Sequence, residues 1–293
     1  MVLARGLLAA ALAASCALAT DVATFGDLAA VNAAGGSADV GAATIAFDET
    51  LDVTTSLAVA GGGGATLDGN GRTLFRVVAG GTLDLARLSI TGAVGDAVAV
   101  EADGFARLSR VALFGNAGGA PLAVVDGSAT VAFSSFYDNV NWAGVGGGAV
   151  SFLSAGGGRS LSVANSTFRN NSALDGGALF AATGPDETAL GPLDNASRDV
   201  VRVENASFEG NWAPYRGGSL YVCGLVDFYL AGAVVRGSYA SEAGALYVFD
   251  GAGLNASDVR LLDNVGGGAI FLFFFPGAAA SSRSPRRSAA ARR

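Results

Sequence analysis

The sequence contains no histidine and no lysine, and all 18 of its basic residues are arginine. The absence of histidine removes the usual general base and the commonest protein metal ligand. Cysteine is almost as scarce, with only Cys16 and Cys223. Cys16 lies in a segment that resembles a signal peptide, so Cys223 would be the only cysteine of the mature chain. Because one cysteine cannot form an intramolecular disulfide, packing must stabilise the mature fold.

Acidic residues outnumber basic ones, most strongly in the middle of the chain. There are 25 Asp and Glu residues, and six of the 18 arginines lie near the termini: Arg5 and five arginines within residues 283–293. The body between them therefore has 12 arginines against 25 acids. This excess of negative charge disfavours binding to a phosphate backbone, so we expect no nucleic-acid partner.

Seven segments repeat an eight-residue pattern with apolar residues at the first, third and eighth positions and a corner between the third and the eighth. The copies are 83–90, 106–113, 129–136, 161–168, 201–208, 228–235 and 254–261. Their last residues are separated by 23, 23, 32, 40, 27 and 26 positions. Recurrence at such a period is the signature of a repeat architecture.

Apolar residues that alternate and then restart after a corner predict two short strands joined by a bend. Helical spacing is missing, and the β-branched and glycine-rich content opposes helix. A coil of 23 to 27 residues accommodates about three short strands. The sequence therefore predicts an all-β fold, a parallel β-helix solenoid of about ten coils over residues 43–275.

Asparagine and glycine recur after the copies. Asparagine stands three positions after the last apolar residue at five places: Asn116, Asn139, Asn171, Asn211 and Asn264. A Gly-Gly-Ala sequence or a near variant follows most copies. Stacked asparagines can adopt left-handed backbone geometry and hydrogen-bond along the solenoid, and glycine permits a tight corner. We therefore interpret these residues as structural.

The ends of the chain differ from the repeats. Arg5, an apolar stretch and Ala17-Leu18-Ala19 predict a signal peptide over residues 1–19. A lipoprotein with lipidated Cys16 is the weaker alternative. Residues 20–42 predict an N-terminal cap with a short helix, Asp27 as its N-cap and Gly35-Gly36 as its end. Residues 276–293, rich in Ala, Ser and Arg, predict a disordered tail.

Two further segments stand out. Residues 181–198 are polar, contain two prolines and predict a protruding loop. Residues 269–275 read AIFLFFF, which is too short to cross a membrane. Solenoids need capped ends for solubility, so this apolar last coil predicts either a chain that continues or a partner at this end, for which end-to-end self-association is one possibility. We expect no transmembrane span in the mature chain.

Five Asn-x-Ser/Thr sequences are candidate glycosylation sites in a secreted protein. They begin at Asn165, Asn170, Asn195, Asn205 and Asn255. Asn195 is the best candidate because it lies in the long polar insertion. A corner that points inward would leave no room for a glycan at Asn165 or Asn205.

The pairing of Phe-x-x-Asn with Gly-Gly-Ala resembles the repeats of polymorphic outer membrane proteins. Phe136–Asn139 with 147–150 and Phe168–Asn171 with 176–179 carry this resemblance. Residues 65–92 are similar to the early coils of pectin-lyase-like proteins. The resemblance implies a right-handed, single-stranded parallel β-helix that is secreted or exposed on the cell surface and often involved in adhesion.

Enzymes on this fold usually cleave acidic polysaccharides, and the resemblance implies what such an enzyme would need. Hydrolases use clustered aspartates, commonly with histidine, and lyases use Ca²⁺-binding acids with an Arg or Lys base. The acids of this chain are instead scattered among coil positions: Asp84, Asp126, Asp138 and Asp263. The Asp68–Gly71 segment (Asp-Gly-Asn-Gly) predicts a turn rather than a Ca²⁺ site. Cys223 predicts a buried thiol.

We therefore predict no catalytic residue, no metal and no cofactor. The expected function is that of a non-enzymatic secreted or cell-surface scaffold for adhesion or matrix interaction. Its partners would be extracellular glycans or surface proteins. The alternative is a pectin-lyase-like protein that binds or cleaves polysaccharide.

Overall fold

The computed structural model describes residues 19–144, 146–155, 157–183 and 198–272. The chain forms a parallel β-solenoid with one short helix. Each coil passes through three sheets, here named A, B and C, and each strand pairs in parallel with the equivalent strand of the next coil. The predicted all-β parallel β-helix is confirmed.

The strands of the main sheets are short. Sheet A comprises Thr20–Asp21, Ser37–Asp39, Ser56–Ala60, Thr82–Ala86, Phe105–Ser109, Ser128–Ala132, Ser160–Ala164, Asp199–Glu204, Val226–Ala231 and Gly253–Ser257. Sheet B comprises Thr44–Ala46, Thr66–Asp68, Ser89–Thr91, Ala112–Phe114, Ser135–Tyr137, Thr167–Arg169, Ser207–Glu209, Val234–Arg236 and Arg260–Leu262. Sheet C comprises Leu51–Val53, Phe75–Val77, Val98–Val100, Leu122–Val125, Val150–Ser154, Leu179–Thr183, Leu220–Cys223, Leu246–Phe249 and Ile270–Leu272.

A small fourth sheet, named D, lies between sheets B and C in the middle coils. Its strands are Val94–Gly95, Ala117–Gly118, Val140–Asn141 and Ser172–Ala173. Sheets B and C have nine strands each, so eight full turns separate the first and last strands of sheet B. This is slightly fewer than the predicted ten coils, because the two longest coils spend chain length on loops.

The eight-residue repeat corresponds to one sheet A strand, a corner and one sheet B strand. Its last apolar residues align in one column of sheet B: Ile90, Leu113, Phe136, Phe168, Phe208, Val235 and Leu261. The rings of Phe136 and Phe168 stack at 5.0 Å, and those of Phe168 and Phe208 at 4.7 Å. All three rings are fully buried, which stabilises the fold by about 1.5–3 kcal/mol per side chain.

The corner asparagines form an internal hydrogen-bonded ladder. The side-chain amides of Asn116, Asn139 and Asn171 each donate to Oδ1 of the next asparagine, at 3.0, 2.9 and 3.1 Å. Their backbone N–H groups donate to the same oxygens. Ser238 takes the next position after Asn211, and its backbone N–H donates to Asn264 Oδ1 at 2.9 Å. The ladder thus satisfies polar groups inside the solenoid.

The expectation that these asparagines adopt left-handed geometry is wrong. The left-handed residue stands one position earlier, at Gly115, Asp138, Asn170, Gly210 and Asp263, with φ between 53° and 62°. The left-handed residue turns the chain at this corner, and the asparagine that follows it hydrogen-bonds along the stack. The left-handed turn and the hydrogen bonding, both predicted for the asparagine, are thus divided between two neighbouring residues.

The Gly-Gly-Ala sequences bring successive coils into close contact. A Cβ atom on Gly148 would lie 2.3 Å from the carbonyl oxygen of Gly177. Gly177 and Gly218 have the same relationship to the next coil, with 2.3 Å to the oxygens of Gly218 and Gly244. No side chain fits at these distances, so glycine is required here by backbone packing.

The helix spans Phe25–Ala34 and covers the first coils with Leu28 and Val31. Its N-cap is Thr24, and the prediction of Asp27 as N-cap is wrong. Asp27 is instead the third helical residue of a capping box, in which the Thr24 hydroxyl accepts from Asp27 N–H and Asp27 accepts from Thr24 N–H. Gly35 ends the helix with φ 67°.

In the described part of the chain, no helix has the length and apolar character needed to cross a membrane. The predicted signal peptide, most of the 181–198 insertion and the 276–293 tail lie outside the described residues. Of the apolar 269–275 segment, the strand Ile270–Leu272 is described, and all three of its side chains are exposed.

Candidate functional site

Charged side chains on the outside of the solenoid pair across coils. Arg76 binds Asp52 on sheet C, Arg107 binds Asp84 on sheet A at 2.9 Å, and Arg216 binds Asp175 at 3.0 Å. The Arg76 guanidinium holds the pKa of Asp52 below its ordinary value. The two exposed pairs, Arg76–Asp52 and Arg107–Asp84, contribute about 0–1 kcal/mol each. Their role is to neutralise neighbouring charges along the stack.

The four aspartates considered as catalytic candidates are not brought together. Asp84 is paired with Arg107. Asp126, Asp138 and Asp263 occupy left-handed turn positions, with φ of 53°, 56° and 54°. Asp126 accepts a hydrogen bond from the backbone of Ala155, and Asp138 accepts one from the Asn170 amide at 3.1 Å.

The Asp68–Gly71 segment is a turn in which Asp68 Oδ1 accepts from the backbone N–H of Asn70 at 2.9 Å. Nowhere in the described ranges do three or more Cys, Asp or Glu side chains gather in a way that could hold a metal ion. Cys223 is buried, with 4% exposure, as predicted.

Four of the five candidate glycosylation sites are exposed. Asn165 and Asn205 stand at the corner between sheets A and B with φ of 50° and 51°, and Asn170 and Asn255 also face solvent. Their side chains therefore point outward rather than into the core. Asn195 lies outside the described residues. Glycosylation itself stays a prediction.

The candidate site is a groove of about 350 Å³ over the outer face of sheet C. Ala123 and Ser151, which are partners in register, form its floor. Asn141 and the segment after it form one wall, and Leu153 and Val125 line the other side. The floor is low because the outward-facing residues of sheet C, Ala123 and Ser151, are small here. It ends at Phe180, which is the register partner of Ser151 in the next strand.

Asp96 is the one carboxylate among the described residues that line the groove. Burial raises the pKa of Asp96 above its ordinary value, and a hydrogen bond from the backbone of Ala120 opposes this shift. A Cβ on Gly119 would lie 2.5 Å from Asp96 Oδ1, so the glycine makes room for the carboxylate. Asp96 therefore combines partial burial with access to the groove.

A row of exposed aromatic side chains begins beside this groove, at Trp142. Trp142 lies between Asn141 and Ala143, which both line the groove. Its ring meets Trp212 edge-on at 5.3 Å, and Trp212 stacks on Tyr239 at 6.2 Å. The three side chains are 45%, 39% and 41% exposed. We name Trp142, Trp212 and Tyr239 the aromatic rim.

The backbone explains why the rim is continuous. Trp212 and Tyr239 occupy the same register position as Ser172 and Val265, in line with sheet D. None of the three rim residues is among the functional residues predicted from the sequence. The signal that could have revealed it is the distribution of tryptophan, because the only two in the chain both occur in the sequence Asn-Trp-Ala.

Beyond the groove, the outer face of sheet C is closed by aromatic residues. Phe180, Tyr221 and Tyr247 stack at 4.8 and 5.4 Å and are almost fully buried. The Arg216 guanidinium lies 5.0 Å from the centre of the Tyr221 ring. Burial and the nearby Glu242 raise the pKa of Tyr247. This layer is a second small core, and it closes the face on the C-terminal side of the groove.

Comparisons with known proteins found one repeat family and a structural similarity to one solved protein. Residues 165–182 match the family model described as the Chlamydia polymorphic membrane protein repeat. Among solved structures, a PL6 family alginate lyase, AlyGC, is similar with a TM-score of 0.48 and 15% identity. The alignment covers 83% of this chain and 39% of that protein, so this chain spans well under half of its length. No curated protein sequence matches. The chain is a parallel β-helix, and its residues 165–182 are similar to the polymorphic membrane protein repeat.

Proposed function

We propose that this β-helix is a non-enzymatic scaffold of the cell surface or extracellular space that binds a linear saccharide chain. The observation that carries the proposal is the aromatic rim. Trp and Tyr side chains offer a flat apolar face together with a polar group, and they are enriched at binding surfaces. Three such side chains exposed in one row form a contiguous patch, which in soluble proteins marks an interaction site.

The direction of the rim favours a linear ligand. Trp212 and Tyr239 stand on adjacent coils and continue one column along the solenoid axis. A polymer that runs parallel to this axis would meet successive rings with successive units. The groove beside Trp142 adds hydrogen-bonding groups from Asn141, Ser151 and Asp96, as expected where a few polar groups orient a ligand.

The charged groups favour binding over cleavage. Glycoside hydrolysis uses two carboxyl groups on either side of the scissile bond, and the described lining of the groove supplies Asp96 alone. Elsewhere, two carboxylates flank Arg76 of sheet C. Asp52 binds its guanidinium, and Glu101 Oε1 lies 3.9 Å from its Nε. However, the bond to Asp52 raises the pKa of Arg76, which keeps the guanidinium protonated and unable to act as a base.

A glycan array probed with the full-length protein tests the proposal, followed by affinity measurements on the best neutral oligosaccharide. We expect Trp212→Ala to weaken binding at least about tenfold, the loss typical of a central aromatic contact. Tyr229→Ala removes an aromatic side chain from sheet A and serves as the matched control. Binding that survives both Trp142→Ala and Trp212→Ala, or an array without any bound glycan, would contradict the proposal. A polysaccharide cleavage assay on the same preparations checks the absence of catalysis.

A further inference from the structure

The corner between sheets A and B carries large side chains in an unfavourable backbone conformation. Arg87, Arg110 and Phe133 occupy this corner in three successive coils with φ of 55°, 56° and 53°. The same position in later coils holds residues that tolerate the left-handed region: Asn165, Asn205, Gly232 and Asp258. Backbone strain that recurs in adjacent coils and places similar side chains outward suggests a function for those side chains.

These residues line a cleft of about 490 Å³. Its opposite wall is the four-glycine segment 61–64, which has no side chains. A Cβ on Gly63 or Gly64 would meet no atom within 4 Å, so this wall borders open space. The cleft is therefore large enough for a sugar-sized group and is bordered by Arg87, Arg110 and Phe133.

The two arginines of the cleft differ from the arginines that form salt bridges on the outer faces. Across the described ranges, neither Arg87 nor Arg110 forms a salt bridge with a carboxylate. Arg87 Nε approaches the carbonyl oxygen of Gly61 at 3.4 Å, and the Arg110 guanidinium lies 5.4 Å from the centre of the Phe133 ring. Both cations therefore remain available to an anionic ligand, although the body of the chain has more acids than arginines.

We propose that this cleft binds a sulfate ester on a saccharide, with the sugar ring against Phe133. The two arginines stand on adjacent coils, whose strands are about 4.8 Å apart, and both line the cleft. A tetrahedral oxyanion offers three oxygens in diverging directions and can accept from both groups. A carboxylate can also accept from arginine, but its two oxygens lie in one plane and match a single guanidinium best.

The surroundings favour a sulfated saccharide over other anions. Phe133 is 56% exposed and supplies an apolar face that a free inorganic ion would not use. An anionic membrane surface would be repelled by the acidic body of the chain. The cleft lies across sheet B from the aromatic rim, so this inference does not depend on the proposed function of the rim.

Isothermal titration calorimetry on the full-length protein tests the inference with four probes. These are a κ-carrageenan hexasaccharide, its desulfated form, hexagalacturonate and inorganic sulfate. We expect binding of the sulfated hexasaccharide and at least about tenfold weaker binding of the other three. Equal binding of the desulfated form, or tighter binding of hexagalacturonate, overturns the inference. Equal binding of inorganic sulfate overturns the saccharide part of it.

The variants separate a binding role from a structural one. Arg87→Asn with Arg110→Asn removes both cations and places a residue that tolerates the left-handed region. We expect Tm to stay the same or rise while affinity for the sulfated hexasaccharide falls at least about tenfold. Arg236→Asn with Arg260→Asn, an equal change of charge on sheet B, should leave affinity unchanged. Unchanged affinity in the double variant refutes the site, and loss of neutral-glycan binding in Trp212→Ala reports on the rim alone.

Discussion

Asn139 donates both its backbone N–H and its side-chain amide to Oδ1 of Asn171, which stands 32 residues later in the sequence. One oxygen thus satisfies two donors inside the solenoid, and the amide of Asn171 in turn donates to Phe136 O at 3.0 Å. Because each asparagine depends on the next, the ladder connects coils whose loops differ greatly in length. It keeps the coils in register while the outer faces vary.

Replacing Asn171 with Ala should destabilise the fold by about 2–4 kcal/mol. The change leaves two buried donors of Asn139 and one buried carbonyl without their partners, and unpaired buried polar groups carry a penalty of about 1–3 kcal/mol each. Urea denaturation followed by circular dichroism measures the loss. Asn255→Ala, at an exposed sheet A position, should change stability by less than about 0.5 kcal/mol. Similar losses in both variants would argue against the ladder.

Gly177→Ala should be among the most disruptive single substitutions. Its Cβ would lie 2.3 Å from Gly218 O, and both atoms belong to backbone that stacks coil on coil. We expect a loss of about 3 kcal/mol or more, since neither coil can move without breaking sheet C. Thermal melting provides the measurement. Gly63→Ala is the matched control because a Cβ there meets nothing within 4 Å, and its Tm should stay close to that of the wild type.

The pattern of apolar residues was sufficient to predict the core. Phe136, Phe168 and Phe208 stack as expected because a period of two has only one way to place these residues inside. The aromatic rim could not be predicted in the same way. The coils before and after Trp142 differ in length, and its position relative to Trp212 depends on how the loop folds. The cleft bordered by Arg87 and Arg110 could not be predicted either, because these residues become neighbours only through the register of sheet A.

Asp96 should make stability fall as pH rises. Burial raises its pKa in the folded protein above the ordinary value of 3.8, so between these two values the folded state binds more protons than the unfolded state. Stability therefore decreases as pH rises through this interval and stays lower above it. Asp96→Asn removes the charge and keeps an acceptor for the backbone of Ala120. We expect the Tm of the variant relative to the wild type to be higher at pH 7 than at pH 3.5. An equal difference at both pH values would contradict the burial of this carboxylate.

Arg216 should stabilise the aromatic layer on sheet C through both its charge and its flat guanidinium group. It forms two hydrogen bonds of 3.0 Å with Asp175, whose side chain is only 14% exposed, and it lies over Tyr221. Arg216→Ala removes this partner from a largely buried carboxylate and should reduce the free energy of unfolding by about 2–3 kcal/mol. Arg216→Lys keeps the charge but loses the bidentate geometry and should recover less than half of the loss. Arg202→Ala removes a cation–π contact with Tyr229 at 4.2 Å on the exposed face of sheet A. It should reduce the free energy of unfolding by only about 0.5–1 kcal/mol. Full recovery in Arg216→Lys would show that charge alone matters at this position.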